Sequence, residues 1–349
     1  MQVPQQTGDV TRDWYTRFAA VEAHGQSATY EAWALGVAGD DEVLDRIREL
    51  PRPKRQPNLV FACSRLLGAP EGPYARWREW LLGHWHEVAD ATRTRATQTN
   101  EPRRCAVLLP PLARIDGPVA LLEVGASAGL CLYPDRYAYR YDDGPVLGDS
   151  DVLLECTTSG PVPVPERLPE IVWRAGIDLA PLSVDDADDM RWLETLVWPE
   201  QHERRERIRR AIAIARREPP LLVAGDGRQR LRALAAEAPT DAALVVFHAG
   251  TIVYLGRDER AAFADEVRAL VAERAGTRWL SLEGQGVTPG VQPDGTTASS
   301  RFALADGGRL VALAGAHGQS LDWLPAARSA AAPTVSRWSR SSPRRSSAR

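Results

Sequence analysis

The stretch Leu121-Leu-Glu-Val-Gly125-Ala-Ser127-Ala-Gly129-Leu130 decides the fold of this chain. It belongs to a short apolar run that begins at Val119 and is followed by small residues through Gly129. Such a run is typical of a buried parallel strand. Small residues after a strand let the backbone turn sharply and let a ligand approach it closely. The stretch therefore predicts a strand followed by a ligand-binding turn.

Strands and helices alternate after this turn. Short apolar runs predict strands over residues 171–177, 221–224, 243–247 and 279–282, and apolar residues at helical spacing lie between them. Two further runs flank Asp306-Gly307-Gly308 and predict a closing hairpin. Alternation of this kind predicts a mostly parallel sheet covered on both faces. We therefore expect an α/β, Rossmann-like domain over residues 118–324 with a C-terminal antiparallel hairpin, the shape of class I methyltransferases.

The residues before this domain show a different pattern. Apolar residues such as Trp14, Phe18 and Val21 recur at helical spacing, so residues 11–117 predict an all-α N-terminal domain. Proline and glycine within residues 103–118 predict the boundary. Residues 131–170 are rich in Pro, Asp, Gly and Tyr and predict an irregular insertion. We expect the polar residues 1–10 and the Ser-, Ala- and Arg-rich residues 325–349 to be disordered.

Composition narrows the class of protein. The 349 residues are 44% hydrophobic and 26% charged, which is ordinary for a globular protein. No apolar run reaches the roughly 18 residues of a membrane span, and Met1–Val10 lacks the pattern of a secretory signal, so we expect a cytoplasmic protein without membrane contact. The four cysteines are too widely spaced for a zinc site, and no other metal site is predicted.

The charge distribution disfavours nucleic acid as a partner. The net charge is −3, but residues 325–349 hold six arginines and no acid. Without this basic tail, 37 basic residues face 46 acidic ones. An acidic folded region repels a polyanion, so a small molecule is the more natural partner. Oligomeric state does not follow from these patterns.

Three kinds of site fit the glycine-rich turn. A dinucleotide-binding turn requires the motif G-x-G-x-x-G, but Ser127 and Leu130 occupy the second and third glycine positions. Gly125 to Gly129 matches the G-x-S-x-G nucleophile elbow of serine hydrolases, with Ser127 as nucleophile and Asp226 with His248 or His317 as partners. The residues before it look helical, however, whereas that fold builds several strands before its elbow.

The third kind of site binds S-adenosylmethionine. Glu123, Gly125, Ser127 and Gly129 resemble the D/E-x-G-x-G-x-G motif of class I methyltransferases, with serine at the middle glycine. The acid suits the amino group of this cofactor, and backbone N–H groups at a helix N-terminus suit its carboxylate.

Later strand ends supply further site residues. Gly225 and Asp226 follow a strand where the family contacts adenine, and Asp178 ends the strand whose acid binds ribose hydroxyls. Both acids also suit helix caps or turns. His248 ends a strand whose equivalent in class I methyltransferases faces the transferred methyl group, and an imidazole suits a general base near neutral pH. Glu283 and His317 also end strands and could line an acceptor pocket.

The chain to about Leu324 resembles a bacterial family known only as a domain of unknown function, with a methyltransferase-like fold. The resemblance rests on seven segments: Arg55–Leu59, Leu122–Leu130, Arg174–Pro181, Arg191–Leu193 with Val197–Pro199, Gly225-Asp226, Phe247-His248 and Leu282–Gly284. It implies the fold and the type of cofactor, but no reaction.

The sequence thus predicts an S-adenosylmethionine-dependent methyltransferase acting on a small-molecule acceptor. The alternatives are a serine hydrolase using Ser127 and a non-catalytic, methyltransferase-like binding protein. The methyl acceptor, and whether the protein is active, do not follow from the sequence.

Overall fold

A computed structural model describes residues 9–291 and 301–325 of the chain. The predictions of disorder for residues 1–10 and 325–349 fall, apart from residues 9, 10 and 325, outside these ranges and stay predictions. None of the described helices is long and apolar enough to cross a membrane.

The N-terminal part is helical, as its sequence predicts. Its helices are α1 (Val10–Arg17), α2 (Ala28–Ala38), α3 (Asp41–Arg48), α4 (Pro57–Leu66), α5 (Tyr74–Gly83), α6 (Trp85–Thr94) and α7 (Arg104–Leu112). Asp9, Ser27 and Asp40 cap the first three with side-chain oxygens. A π-helical segment, Phe18–Ala23, follows α1. Its wider turn leaves Val21 68% exposed, although the helical spacing predicted that this side chain faces the core.

Helix α7 lies in the segment where the sequence predicts the boundary between the two domains. It contains Pro110 and Pro111 in its last turn. A proline has no N–H, so Pro110 leaves the carbonyl of Ala106 without its helical donor. The hydroxyl of Tyr141 donates to that carbonyl at 2.7 Å. A side chain from a distant strand thus supplies the hydrogen bond that the helix lacks. The local sequence cannot indicate such a contact.

The ten described strands form one mixed sheet. They are β1 (Pro118–Val124), β2 (Ala138–Tyr141), β3 (Leu153–Ser159), β4 (Glu170–Asp178), β5 (Leu221–Ala224), β6 (Ala243–Ala249), β7 (Arg278–Gly284), β8 (Phe302–Asp306), β9 (Arg309–Ala314) and β10 (Ser320–Trp323). Their order is β2-β3-β10-β9-β8-β7-β6-β1-β4-β5. Only β7–β8, β8–β9 and β9–β10 pair antiparallel, so the mostly parallel sheet and the C-terminal hairpin are confirmed.

Residues 131–170 are more regular than their composition suggests. Strands β2 and β3 lie within this segment and extend the sheet beyond β10. Strand β3 pairs with β10 in parallel, with Thr157 opposite Ser320. The irregular insertion was therefore predicted wrongly. The partner strand is distant in sequence, and no local pattern marks pairing between such strands.

Helices cover both faces of the sheet. Helices α8 (Ala187–Thr195) and α9 (His202–Ala215) join the N-terminal helices on one face, and α10 (Gly227–Glu237) and α11 (Arg257–Glu273) cover the other. On β1, Val119 and Leu121 belong to the first core, whereas Ala120 and Leu122 belong to the second. The first core also contains Trp33 of α2, so the N-terminal helices and the sheet share one continuous apolar interior.

Candidate functional site

The centre of the sheet contains a topological switch point. Strand β1 lies between β4 and β6, and each of these neighbours runs parallel to it. After β4 and β5 the chain crosses back to the opposite side of β1 to form β6. In open α/β sheets, ligands bind outside the carboxyl ends of the strands at such a point. The residues that follow β1, β4 and β6 therefore form the candidate site.

Glu123 ends β1 and lies inside the protein. Its side chain is 2% exposed, and its Oε2 atom has no hydrogen-bond partner. Burial raises the pKa of this carboxyl well above its usual value, and the neighbouring Cys131 adds to the shift. Arg104 opposes it. A buried carboxyl atom without a partner is rare in a folded protein and marks the position as a site for a hydrogen-bonding ligand.

The turn after β1 has the backbone conformation that its small residues predict. Gly125, Ser127 and Gly129 have φ angles of +81°, +52° and +74°. Serine rarely adopts such a positive φ, which makes Ser127 a strained position. Its Oγ atom is buried and has no hydrogen-bond partner. Ser127 thus joins Glu123 as a second unsatisfied polar group at the switch point.

The N–H groups of the turn are already engaged within the protein. The carbonyl of Ile177 accepts from Gly125 and Ala126 at 2.7 and 3.1 Å. The N–H group of Leu130 donates to Asn100 Oδ1 at 2.9 Å. A single 3-10 turn, Leu130–Leu132, follows instead of an α-helix. The expected helix N-terminus for a carboxylate is therefore not formed, because the chain turns toward β2.

The acids after β4 and β5 have structural partners. Asp178 accepts the N–H group of Ser127 at 2.8 Å and that of Ala180 at 2.9 Å, so it holds the glycine-rich turn against β4. Asp226 caps α10 through the N–H group of Arg228 and forms an ion pair with its guanidinium at 2.6 Å. Gly225, at φ +139°, packs against the side chain of Arg230.

His248 lies in the core and not in a cavity. It is 0% exposed, its Nδ1 lies 2.7 Å from Glu283 Oε1, and Trp279 Nε1 donates to its Nε2 at 3.1 Å. Since Nε2 accepts, Nδ1 carries the proton and donates to the glutamate. The N–H group of Thr251 also donates to Glu283 Oε1, at 2.9 Å. Neither nitrogen of His248 is free to accept a proton, so the geometry gives no support to its role as general base.

The hydrogen bonds of these residues also test whether Ser127 belongs to the catalytic triad of a serine hydrolase. Ser127 Oγ contacts no histidine, and the carboxylate of Asp226 is paired with Arg228. A nucleophilic serine needs a base within hydrogen-bonding distance. Within the described residues the triad is not assembled.

The segment after β6 covers the glycine-rich turn. The side chain of Thr251 packs directly on Gly125, so that a Cβ atom at this glycine would collide with it. The 3-10 turn Ile252–Tyr254 follows, and the ring of Tyr254 is 79% exposed. A ligand that approached Gly125 from this side would therefore have to displace Thr251.

A cavity of about 720 Å³ lies next to this segment. Helix α1, the segment between α6 and α7, helices α8 and α9, Tyr254 and the β9–β10 turn contribute to its wall. Trp14, Phe18 and Trp198 supply aromatic surface, and Asn100, Arg204 and His317 supply polar groups. Its volume is within the usual range of small-molecule sites, roughly 300–1,000 Å³.

A buried ionic cluster borders this cavity. Glu101 is 0% exposed and lies 2.7 Å from Arg204 Nε and 3.0 Å from Arg207 Nε. Burial alone would raise the pKa of Glu101, but the two guanidinium groups outweigh it and lower that pKa to about 2. Burial and the guanidinium of Arg204 lower the pKa of His317 to about 3, so its ring is neutral near pH 7. His317 Nδ1 is buried without a hydrogen-bond partner.

The sequence pointed to His317 as a residue at a strand end and as a candidate partner of Ser127, and it did not indicate Glu101 or Arg204. Arginines are frequent in α9, so the spacing of Arg204 does not distinguish it from its exposed neighbours. Trp14 and Phe18 were interpreted as core residues, because helical spacing fits a core position as well as a position that lines a ligand site. Only the packing of α1, α9 and the β9–β10 turn around one space brings these residues together.

A known protein family matches nearly all of the residues that the structure describes. The family described as "Uncharacterized protein conserved in bacteria (DUF2332)" matches residues 12–323. The chain belongs to this family. The match covers the N-terminal helices, the sheet and every site residue described above, and it ends before the basic tail of this DUF2332 member. No curated protein and no solved structure gives a significant match.

Proposed function

We propose that this DUF2332 protein is an S-adenosylmethionine-dependent methyltransferase acting on a small molecule. The observation that carries the proposal is the unpaired, buried carboxyl of Glu123 at the carboxyl end of β1. The strand order β5-β4-β1-β6-β7, followed by an antiparallel strand, supports it. This is the doubly wound order in which β1 ends at the ligand crevice.

The polar groups at the crevice suit the cofactor. Glu123 would accept a hydrogen bond from the amino group of the cofactor. The unpaired hydroxyl of Ser127 would donate one to the carboxylate of the cofactor. Asp178 uses one hydrogen bond at each oxygen, and its remaining lone pairs would accept ribose hydroxyls. Gly225 and Asp226 lie at the end of β5, on the side proposed for adenine. Two features do not fit: Thr251 packs on Gly125, and no helix N-terminus follows the turn to meet the carboxylate.

The bound cofactor would supply an electrophilic methyl group. The protein would then have to orient the acceptor and exclude water, which can account for much of the rate of such a transfer. His248 is held by Glu283 and Trp279, so we do not assign it the proton of the acceptor. The wall of the cavity described above, beside Tyr254, is where an acceptor would lie.

Calorimetry with S-adenosylmethionine tests the proposal. We expect binding by the wild-type protein and its loss in Glu123→Gln, which keeps the shape of the side chain but cannot ionise. Glu79→Gln makes the same change at an exposed position of α5 and should bind normally.

A second readout makes the test specific to the carboxyl. Burial raises the pKa of Glu123 in the free protein, whereas a bound ammonium group would favour the ionised form and lower that pKa. Binding should therefore release up to about one proton, which appears as a dependence of the measured enthalpy on the buffer. Absence of binding by folded wild-type protein would refute the cofactor assignment, and binding without methylation of any acceptor would indicate a non-catalytic member.

A further inference from the structure

Residues 97–100 form one wall of the cavity of about 720 Å³. The same residues contact the turns that hold candidate cofactor residues. Asn100 Oδ1 accepts the N–H group of Leu130 at 2.9 Å, and Gln98 Nε2 donates to the carbonyl of Ala180 at 2.7 Å. Leu130 directly follows the candidate cofactor residue Gly129, and Ala180 lies two residues after Asp178. A molecule in the cavity would therefore lie next to the crevice.

Aromatic rings line the cavity. Phe18 and Trp198 pack against each other with centroids 5.7 Å apart, and Trp14 and the exposed Tyr254 line the same space. Asn58 Oδ1 accepts the indole N–H of Trp198 at 2.8 Å, which fixes the orientation of that ring. Preorganised aromatic surfaces of this kind bind flat apolar groups well, because little side-chain freedom is lost on binding.

The polar side of the cavity carries an excess of positive charge. The charged groups that act on His317 are Arg104, Arg204, Arg207 and a single carboxylate, Glu101. Arg204 lines the cavity itself, and its NH1 group donates to Gln201 Oε1 at 3.0 Å. One exposed acid, Glu22, also lines the cavity, on the side of the π-helical segment. Arg104 and Arg207 do not line the cavity, but together with Arg204 they outnumber the carboxylates of Glu101 and Glu22, which favours an anionic ligand group.

His317 adds a hydrogen-bonding position to this charge. Its Nδ1 atom is buried without a partner, and its ring lines the cavity. Next to three guanidinium groups, a neutral imidazole nitrogen is most stable as an acceptor. A hydroxyl or amino group of a ligand can donate to it. The cavity therefore combines a flat apolar surface, a positive end and a hydrogen-bond acceptor.

We propose that this cavity binds a small aromatic carboxylate that bears a hydroxyl or amino group. The ring would pack between Trp14, Trp198 and Tyr254, and the carboxylate would pair with Arg204. His317 Nδ1 would accept from the hydroxyl or amino group. That this molecule is the methyl acceptor rests on the proposed methyltransferase function, whereas its binding does not.

Binding of two matched probes tests the site. 4-Hydroxyphenylacetate carries the ring, the hydroxyl and the carboxylate, and 4-hydroxyphenethyl alcohol replaces only the carboxylate by an uncharged group. We expect the wild-type protein to bind the carboxylate about 10- to 100-fold more tightly, the usual effect of a charge-assisted hydrogen bond. Calorimetry and quenching of tryptophan fluorescence measure both affinities.

Variants assign the preference to the cavity. Arg204→Gln should remove the preference for the carboxylate, whereas Arg114→Gln, at an exposed position after α7, should keep it. Arg204 is paired with a buried acid, so Tyr254→Ala provides a second variant that should fold and should weaken both probes.

The outcomes separate this proposal from the proposed function. Equal binding of the two probes, or no binding of the carboxylate by the wild-type protein, would overturn the ligand assignment, as would an unchanged preference in folded Arg204→Gln. Carboxylate binding without S-adenosylmethionine binding would support this site and refute the methyltransferase. The reverse result would refute this site alone.

Discussion

Replacing Glu123 by glutamine should stabilise the protein, and the gain should grow as the pH rises. Burial raises the pKa of this carboxyl in the folded protein above the usual value of 4.5, which the unfolded chain should keep. Above about pH 4.5 the unfolded chain loses this proton while the folded protein retains it. The folded state then binds more protons, so the free energy of unfolding decreases with rising pH up to the folded pKa.

The slope gives the magnitude. One retained proton lowers the free energy of unfolding by about 1.4 kcal/mol for each pH unit. Because Glu123 is 2% exposed and its Oε2 has no partner, screening by water should reduce this slope little. From about pH 4.5 up to the folded pKa, the stability difference between Glu123→Gln and the wild-type protein should therefore widen by about 1.4 kcal/mol for each pH unit.

Urea denaturation of both proteins across this pH range measures the difference. Glu79→Gln, at an exposed position of α5, should show no such trend and serves as the matched control. A stability difference that stays constant with pH would refute the reasoning. It would mean that the carboxyl ionises in the folded protein and that Arg104, the nearby cation, compensates for burial.

Three further changes test the packing around the site. His248→Ala removes a fully buried ring with partners at both nitrogens and should lower the free energy of unfolding by about 3 kcal/mol, whereas His86→Ala, whose side chain is 89% exposed, should change it little in the same urea titration; a folded, equally stable His248→Ala variant would contradict the structural role. Gly125→Ala and Gly117→Ala both place alanine at φ near +80°, but only the former collides with a neighbouring side chain, so its melting temperature should fall further; equal losses would show that the segment after β6 moves away freely. Tyr141→Phe deprives the helix carbonyl freed by proline of its donor and should cost about 1–3 kcal/mol in chemical denaturation, and no loss would mean that water replaces the hydroxyl.

Several features of the fold could be predicted from local patterns. The strands that contain Leu121, Val223 and Val246 are short apolar runs next to turn residues, and the parallel sheet follows from their alternation with helices. Gly307 and Gly308, at φ +59° and +79°, form the predicted two-residue turn between β8 and β9. These features depend on neighbouring residues alone, so the sequence was sufficient.

The candidate site could be predicted only in part. The sequence placed Glu123, Asp178 and Asp226 at strand ends, but strand ends host both ligands and structural caps. Hydrogen bonds to Ser127, Ala180 and Arg228 engage the two aspartates, whereas no donor reaches Glu123 Oε2. Residue type and position are alike in these cases. The presence or absence of a partner from another segment separates them.

By itself, the sequence determined β1, β4 to β9 and most of the helices, where the glycine-rich turn lies and to which family the chain belongs. Apolar periodicity and turn residues act over a few neighbours and are therefore readable along the chain. Tertiary structure alone decided that residues 131–170 extend the sheet, that His248 is enclosed by Glu283 and Trp279, and that Arg204 and His317 face one cavity. These outcomes depend on contacts between distant residues, whose burial and hydrogen bonding are fixed only when the whole core packs.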